Sequence, residues 1–248
     1  MRPAQGKGWA IGVAWLALLV ATGCSGAKVT TKASSELPKY RVQRVAVLPF
    51  DTLATPQATQ STAAGFQVPQ GAKGSYATIS PRPPHELPAR STVGVPPSAA
   101  EKVTQVLGNR LRSRTALVVL SSDESGRALH EVEGKDGGKD IAAMAPKAAA
   151  RLSVDAVVIG RVLVYQERVG SRMGADPPAA VGFEVRLVAA DGALLWEGNY
   201  FERQQPVTAD LAGFFIHGLG FVTADELLHY GADELAKAFP FGQATGGQ

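Results

Sequence analysis

The chain has one cysteine among 248 residues, four histidines, and no apolar run long enough to cross a bilayer. A single cysteine excludes an internal disulfide and any cysteine-rich metal site. His85, His130, His217 and His229 are dispersed, and none has a second ligand at metal-binding spacing, so surface or locally satisfied roles are expected for them and no metal or cofactor. No Gly-x-Ser-x-Gly elbow is present. Gly71-Ala-Lys-Gly-Ser75 holds the letters of a phosphate loop without its spacing or its strand-to-helix setting. The acidic pairs Asp123/Glu124, Asp225/Glu226 and Asp233/Glu234 fall at helix starts or on solvated helix faces, where negative charge favours the helix dipole. No catalytic set assembles from these residues, and an enzyme is not expected.

What the amino terminus does contain is an export signal. Arg2 and Lys7 precede an apolar core of 12 residues, 9 to 20, and small residues follow. That core falls short of the ~20 apolar residues a spanning helix needs. The segment Ala21-Thr22-Gly23-Cys24 resembles a bacterial lipobox, with Ala in place of the usual Leu at its first position. The resemblance implies cleavage before Cys24 and acylation of its sulfur by palmitate-class chains. An ordinary secretory cut after residues 21 to 23 is the alternative and would leave Cys24 a free thiol. Acylation is the reading that gives this lone exported cysteine a role. Ser25 stands where Asp would, by resemblance to enteric lipoproteins, favour the inner membrane, so the expected location is the periplasmic face of an outer membrane.

Removing 23 leader residues from 248 leaves 225; it takes Arg2 and Lys7 from the 25 basic residues and none of the 22 acids, so the mature net charge is near +1. A whole-chain pI near 9.0 therefore gives no argument for nucleic acid, which requires clustered Lys and Arg. Lys102, Arg110, Arg112 and Arg114 on one expected helix read as a solvated face. Residues 51 to 97 hold 8 of the 16 prolines amid Ala, Ser, Thr, Gln and Gly, and read as a disordered insertion lacking the apolar surface to offset ordering. Residues 24 to 38 read as a tether and 241 to 248 as a flexible tail. Residues 39 to 240, apart from the insertion, form a single expected domain.

Within that domain, Tyr40 to Phe50 becomes continuously apolar at 45 to 48, which suits a buried central strand ended by Pro49. Ser98 to Glu101 has the pattern of a capping box, and Val103, Val106, Leu107 and Leu111 follow at helical spacing. Ala116 to Leu120 reads as a short strand, Glu124 to Val132 as a weak helix, and 140 to 152 as an Ala-rich helix that Pro146 either kinks or begins. Residues 154 to 169 make a long strand. Val181, Phe183, Val185 and Leu187 share one face of the next, with Glu184 and Arg186 opposite, and Asp191-Gly192 reverses the chain into 194 to 203. Residues 155 to 204 are thus an expected antiparallel meander. Thr223 to Glu226 is a second capping-box pattern, with Val222 and Leu227 placed as a staple. The expected class is α/β with α+β character: one mixed sheet, parallel early and antiparallel late, with helices packed on it.

Arg44-Val-Ala-Val-Leu-Pro-Phe50 on a first strand, and Val154-Asp-Ala-Val-Val-Ile-Gly160 entering a long one, resemble the periplasmic domain shared by the curli secretion lipoprotein CsgG, the penicillin-binding-protein activator LpoB and the TolB amino-terminal domain. Leu194-Leu-Trp196 followed by Gln204-Gln205-Pro206 resembles uncharacterised lipoproteins of that broad type. The resemblance implies a non-enzymatic interaction module of the envelope that binds another envelope protein. Its alternative implication is an oligomeric subunit of a secretion or assembly channel, a homo-oligomer. No functional residue carries over, because the shared positions are core positions.

Two stretches could carry binding. Phe214-Phe215-Ile-His-Gly-Leu-Gly-Phe221 is apolar and broken by glycine beside a capped helix, with burial in the core as the alternative. Gln204, Gln205 and Pro206, with the loop Gly170 to Pro178, lie near the ends of the meander, with ordinary turn chemistry as the alternative. The candidate contact residues are therefore Gln204, Gln205, Pro206, Phe214, Phe215 and Phe221, and the membrane contact is made through the acyl groups on Cys24.

Overall fold

The apolar run at Val45 to Val47 lies at the centre of the domain, as strand β2 (Arg44–Val47), paired in parallel with β6 (Val118–Val119) on one side and β7 (Ala156–Gln166) on the other. The structure is a computed structural model that describes residues 28–53, 57–58, 92–136, 141–205 and 220–243. Beyond β7 the meander runs as expected: β10 (Ala180–Ala189) pairs antiparallel with β7, and β11 (Leu194–Arg203) antiparallel with β10. The main sheet has the order β1 (Val29–Ala33), β11, β10, β7, β2, β6, and β3 (Asp51–Thr52) continues the lane of β2 along β7. The mixed α/β class and the parallel-then-antiparallel order are those expected from the sequence.

Four helices are described. α1 (Pro97–Arg112) and α4 (Ala224–Ala238) lie on one face of the sheet, where Val103, Leu107, Leu111, Leu227, Leu228 and Leu235 meet Val45, Val158, Phe183, Val185 and Leu187. α2 (Ser122–Asp136) and α3 (Ile141–Leu152) cover the other face, with Leu129, Val132, Met144 and Ala148 against Ala46, Leu48, Val157, Ile159 and Val188. Their coverage extends over β2, β6, β7 and the Val188 end of β10. Among the described residues no helix is long and apolar enough to cross a membrane.

Several expectations are corrected. Ser98 does not cap α1: the helix begins two residues earlier than that cap would set it, at Pro97, with Pro96 as N-cap and no side-chain cap. Proline at the first position has a preset φ and no N–H to satisfy, so the two prolines set the start. Thr223 does form its capping box, accepting from the Glu226 N–H at 3.2 Å while the Glu226 carboxylate accepts from the Thr223 N–H at 2.8 Å. Pro146 does not begin α3, which already runs from Ile141. The strand expected over 116 to 120 shortens to Val118–Val119 because Ala116 takes a φ of 62°, outside extended geometry.

The expected tether contains the edge strand β1 (Val29–Ala33), antiparallel to β11, followed by a 3-10 turn at Leu37–Lys39. The edge of the β11 ladder offers backbone partners that outweigh a sequence with only Val29 and Ala33 apolar among five. The start of the expected tail is also held. Thr115 and Gln243 form a bridge, and Arg114, expected on a solvated face, is buried. Its guanidinium donates to the carbonyls of Phe239 at 2.9 Å, Phe241 at 2.8 Å, Gly242 at 2.7 Å and Ala236. The expected insertion has paired ends, β3 on β7 and the short pair β4 (Gln57–Ala58) with β5 (Thr92–Val93). Most of it lies outside the described residues, as do the leader and Cys24.

Candidate functional site

Alternation along β10 and β11 sends every second side chain away from α1 and α4, and over this half of the sheet those side chains are polar. The register places Glu184 opposite Asn199 and Arg186 opposite Glu197, while from β1 Thr30 faces Asn199 and Lys32 faces Glu197. These six residues line a shallow cavity of about 230 Å³. Arg186 lies 3.3 Å from Glu197 and 3.7 Å from Glu184, and further along the same face Arg161 lies 3.7 Å from Asp51. Among the described residues no helix covers this area. Phe201 extends it: half-exposed, it lies against Gly182, where an added Cβ would come within 2.8 Å of the Phe201 ring. Cations and anions alternate here, so the face suits a polar, hydrogen-bonding protein surface more than an ion of one sign.

Beneath that face, a buried polar cluster ties the edge of the sheet to its centre. Glu202, 4% exposed, accepts from the Lys28 ammonium at 2.7 Å and from the Tyr200 hydroxyl at 2.8 Å. Burial first, and then the Glu202 carboxylate, hold the Tyr200 phenol far above its ordinary pKa, so it is a permanent donor. The Tyr200 ring packs at 5.5 Å from Phe183 and 6.3 Å from Tyr230. Every group in this cluster is occupied within the fold, and its role is to secure β1.

The residues singled out from the sequence divide. Gln204 is buried, its side-chain carbonyl accepting from the Val222 N–H at 2.7 Å and its amide donating to the Gly220 carbonyl at 3.2 Å. It latches β11 to the entry of α4 and presents nothing outward. Gln205 is exposed and Phe221 half-buried; Pro206, Phe214 and Phe215 lie outside the described residues. The loop Gly170 to Pro178 contains a hairpin, β8 (Gly170–Ser171) with β9 (Gly174–Ala175), whose Arg172 carbonyl accepts from the Phe221 N–H at 2.8 Å. Gln204, Phe221 and the hairpin thus meet at one end of the sheet.

The two described histidines sit on different helices. His130 lies 3.7 Å from Glu133 and His229 3.6 Å from Asp225, each on its own helix, and His85 and His217 lie outside the described residues. Among the described residues no group of three or more His, Cys, Asp or Glu could hold a metal ion. The acidic pairs serve the helices: Asp225 faces Lys102 at 3.6 Å, Asp233 pairs with Arg110, and Glu234 with Lys237 at 2.6 Å. The uncovered face was missed in the sequence because it needs β1, whose strand character is not visible there. Its signal was the polar alternation Glu184, Arg186, Glu197 and Asn199.

The sequence matches no family model, and it matches no curated protein. Its fold has likenesses among solved structures. A PelC dodecamer from Paraburkholderia phytofirmans is 12% identical, with a TM-score of 0.39 over 84% of this chain and 92% of that one. The LpoB C-terminal domain from Salmonella enterica is 13% identical, with a TM-score of 0.33 over 66% of this chain and 86% of that one. A lipoprotein from Neisseria meningitidis is 15% identical, with a TM-score of 0.33 over 70% and 92%. At such scores the likeness carries nothing about activity or assembly.

Proposed function

We propose that this chain is a lipoprotein anchored to the periplasmic face of the outer membrane through Cys24, and that it acts by binding another envelope protein and not by catalysis. The observation that carries the reading is the uncovered polar face of β1, β11 and β10. A sheet covered by α1 and α4 on one face, and by α2 and α3 over only part of the other, leaves an ordered, charge-alternating surface there as a ready docking area. The lipobox-like segment supports the anchor, and the resemblance to envelope interaction domains supports the class of activity. The experiment is in-cell photocrosslinking from position 199, on the open face, and from position 147 on exposed α3 surface as control, followed by mass spectrometry. The proposal predicts a defined adduct from 199 and none from 147. An adduct between two copies of the chain would favour the channel-subunit reading, and no adduct from 199 would contradict docking there.

A further inference from the structure

Gln166, Ala180 and Arg203 stand in register across β7, β10 and β11 at one end of the sheet. The Lys28 backbone carbonyl accepts from the Phe201 N–H at 2.9 Å, and Val29 pairs with Tyr200, so β1 begins at this same end. Cys24 lies four residues before Lys28. Four extended residues span at most about 14 Å, so acyl chains on Cys24 hold this end of the sheet close to the bilayer. That gap is too narrow for a folded partner of ~100 residues, whose radius of gyration alone is ~13 Å.

The β8–β9 hairpin leaves the sheet from this end, directly after β7. It carries the two most exposed large apolar side chains described, Met173 at 89% and Val169 at 62%. The hairpin is braced: Val169 donates to the Pro177 carbonyl and accepts from the Asp176 N–H, both at 2.9 Å, and Arg168 donates to the Phe221 carbonyl. The Met173 N–H donates to the Ser171 hydroxyl at 3.2 Å, which braces the turn that carries it. An apolar pair on a braced turn, with Arg168 and Arg172 beside it in sequence, has the composition of an interfacial contact, in which apolar side chains enter the headgroup boundary and guanidinium groups stay at the level of the headgroups.

We infer that this hairpin is a second, non-covalent contact with the lipid surface, which orients the domain on its anchor; the inference rests on the reading that Cys24 is acylated. Because the anchor makes the contact intramolecular, even a small apolar tip is occupied at a high effective concentration. The open face of β1, β11 and β10 then stands beside the membrane instead of beneath the domain and stays accessible.

The test uses the full mature lipidated protein in vesicles of phosphatidylethanolamine and phosphatidylglycerol. The sulfur of Cys24 is consumed by acylation, so Met173→Cys supplies one reactive thiol for an environment-sensitive fluorophore, and Ala190→Cys at the opposite end of the sheet supplies the control. Doxyl-labelled lipids should blue-shift and quench the probe at 173 and leave that at 190 unchanged. Hydrogen exchange of unlabelled protein gives a second readout: vesicles should slow exchange over 169–176, and Met173→Glu should abolish that slowing. A probe at 173 that is unquenched while the protein floats with the vesicles would overturn the hairpin contact alone. A blue shift without quenching would mean a second copy covers it, and would overturn it too. Failure of the wild-type protein to carry lipid and float would sink the anchor reading and this inference with it.

Discussion

The Lys28 ammonium and the Glu202 carboxylate meet at 2.7 Å across the β1–β11 pair, with the acid almost fully buried and its other oxygen bonded to Tyr200. An acid in that position is tolerated because both oxygens are occupied, and it ties the first strand to the sheet just after the proposed anchor. Removing Lys28 strands a buried charge, which typically costs more than an exposed pair contributes. Lys28→Ala should therefore lower stability by ~1–3 kcal/mol, whereas Lys39→Ala, which breaks an exposed pair with Glu36, should cost under ~0.5 kcal/mol. Denaturant melts of the two variants compare them directly, and equal small losses would show that β1 contributes little to the fold.

Phe183 and Glu184 are neighbours on β10 that point to opposite faces, Phe183 fully buried and Glu184 on the uncovered side. Phe183→Ala should cost ~3–5 kcal/mol through lost burial and the cavity left behind. Glu184→Ala should cost under ~0.5 kcal/mol, since its pair with Arg186 is a surface one. Large losses at both positions would mean that something covers the polar face.

Gln204 and Gln205 make a sharper pair. Gln204→Leu leaves the Val222 N–H and Gly220 carbonyl without their partner and should cost ~1–3 kcal/mol. Gln205→Leu should be close to neutral by the same melts. If the crosslinking pattern of the folded Gln204 variant changes while stability does not, its assignment as an internal latch is wrong.

Hydrogen bonding from the Thr223 backbone N–H is the main cause that holds the Glu226 carboxyl below its ordinary pKa; burial opposes it, and the Thr223 hydroxyl, Arg172 and Arg168 each add a smaller lowering effect. A carboxyl depressed in the folded state contributes stability that is present above its unfolded pKa and lost as pH falls through the folded one. The stability difference between wild type and Glu226→Gln should thus be full at neutral pH and vanish in acid below the glutamate range. Melts across that range check it; a difference that grows on acidification would reverse the sign.

The parts of this fold that were readable in the sequence are those where one face is buried by repetition. Val181, Phe183, Val185 and Leu187 announce their strand because burial on one face leaves a period of two. Thr223 and Glu226 announce α4 because the cap is a local bond. Ser98 and Glu101 show the same letters without the cap, since Pro96 and Pro97 set that helix start instead. Strand β1 was invisible because Val29-Thr-Thr-Lys-Ala33 owes its structure to a ladder with residues some 170 positions away and to the Glu202 pair. Arg114 and Gln204 read as solvent-facing because nothing local reveals that their partners are carbonyls and an amide brought in by the chain's last elements. The uncovered face needed all three of these strands assembled before it could be seen.

The most direct measurement is palmitate labelling of cells producing the wild-type chain and its Cys24→Ala variant, followed by membrane fractionation. Thioether formation needs that sulfur, so the wild type should incorporate label and fractionate with the outer membrane, and the variant should do neither. An unlabelled wild type, or equal label in both, would contradict the anchored-lipoprotein account.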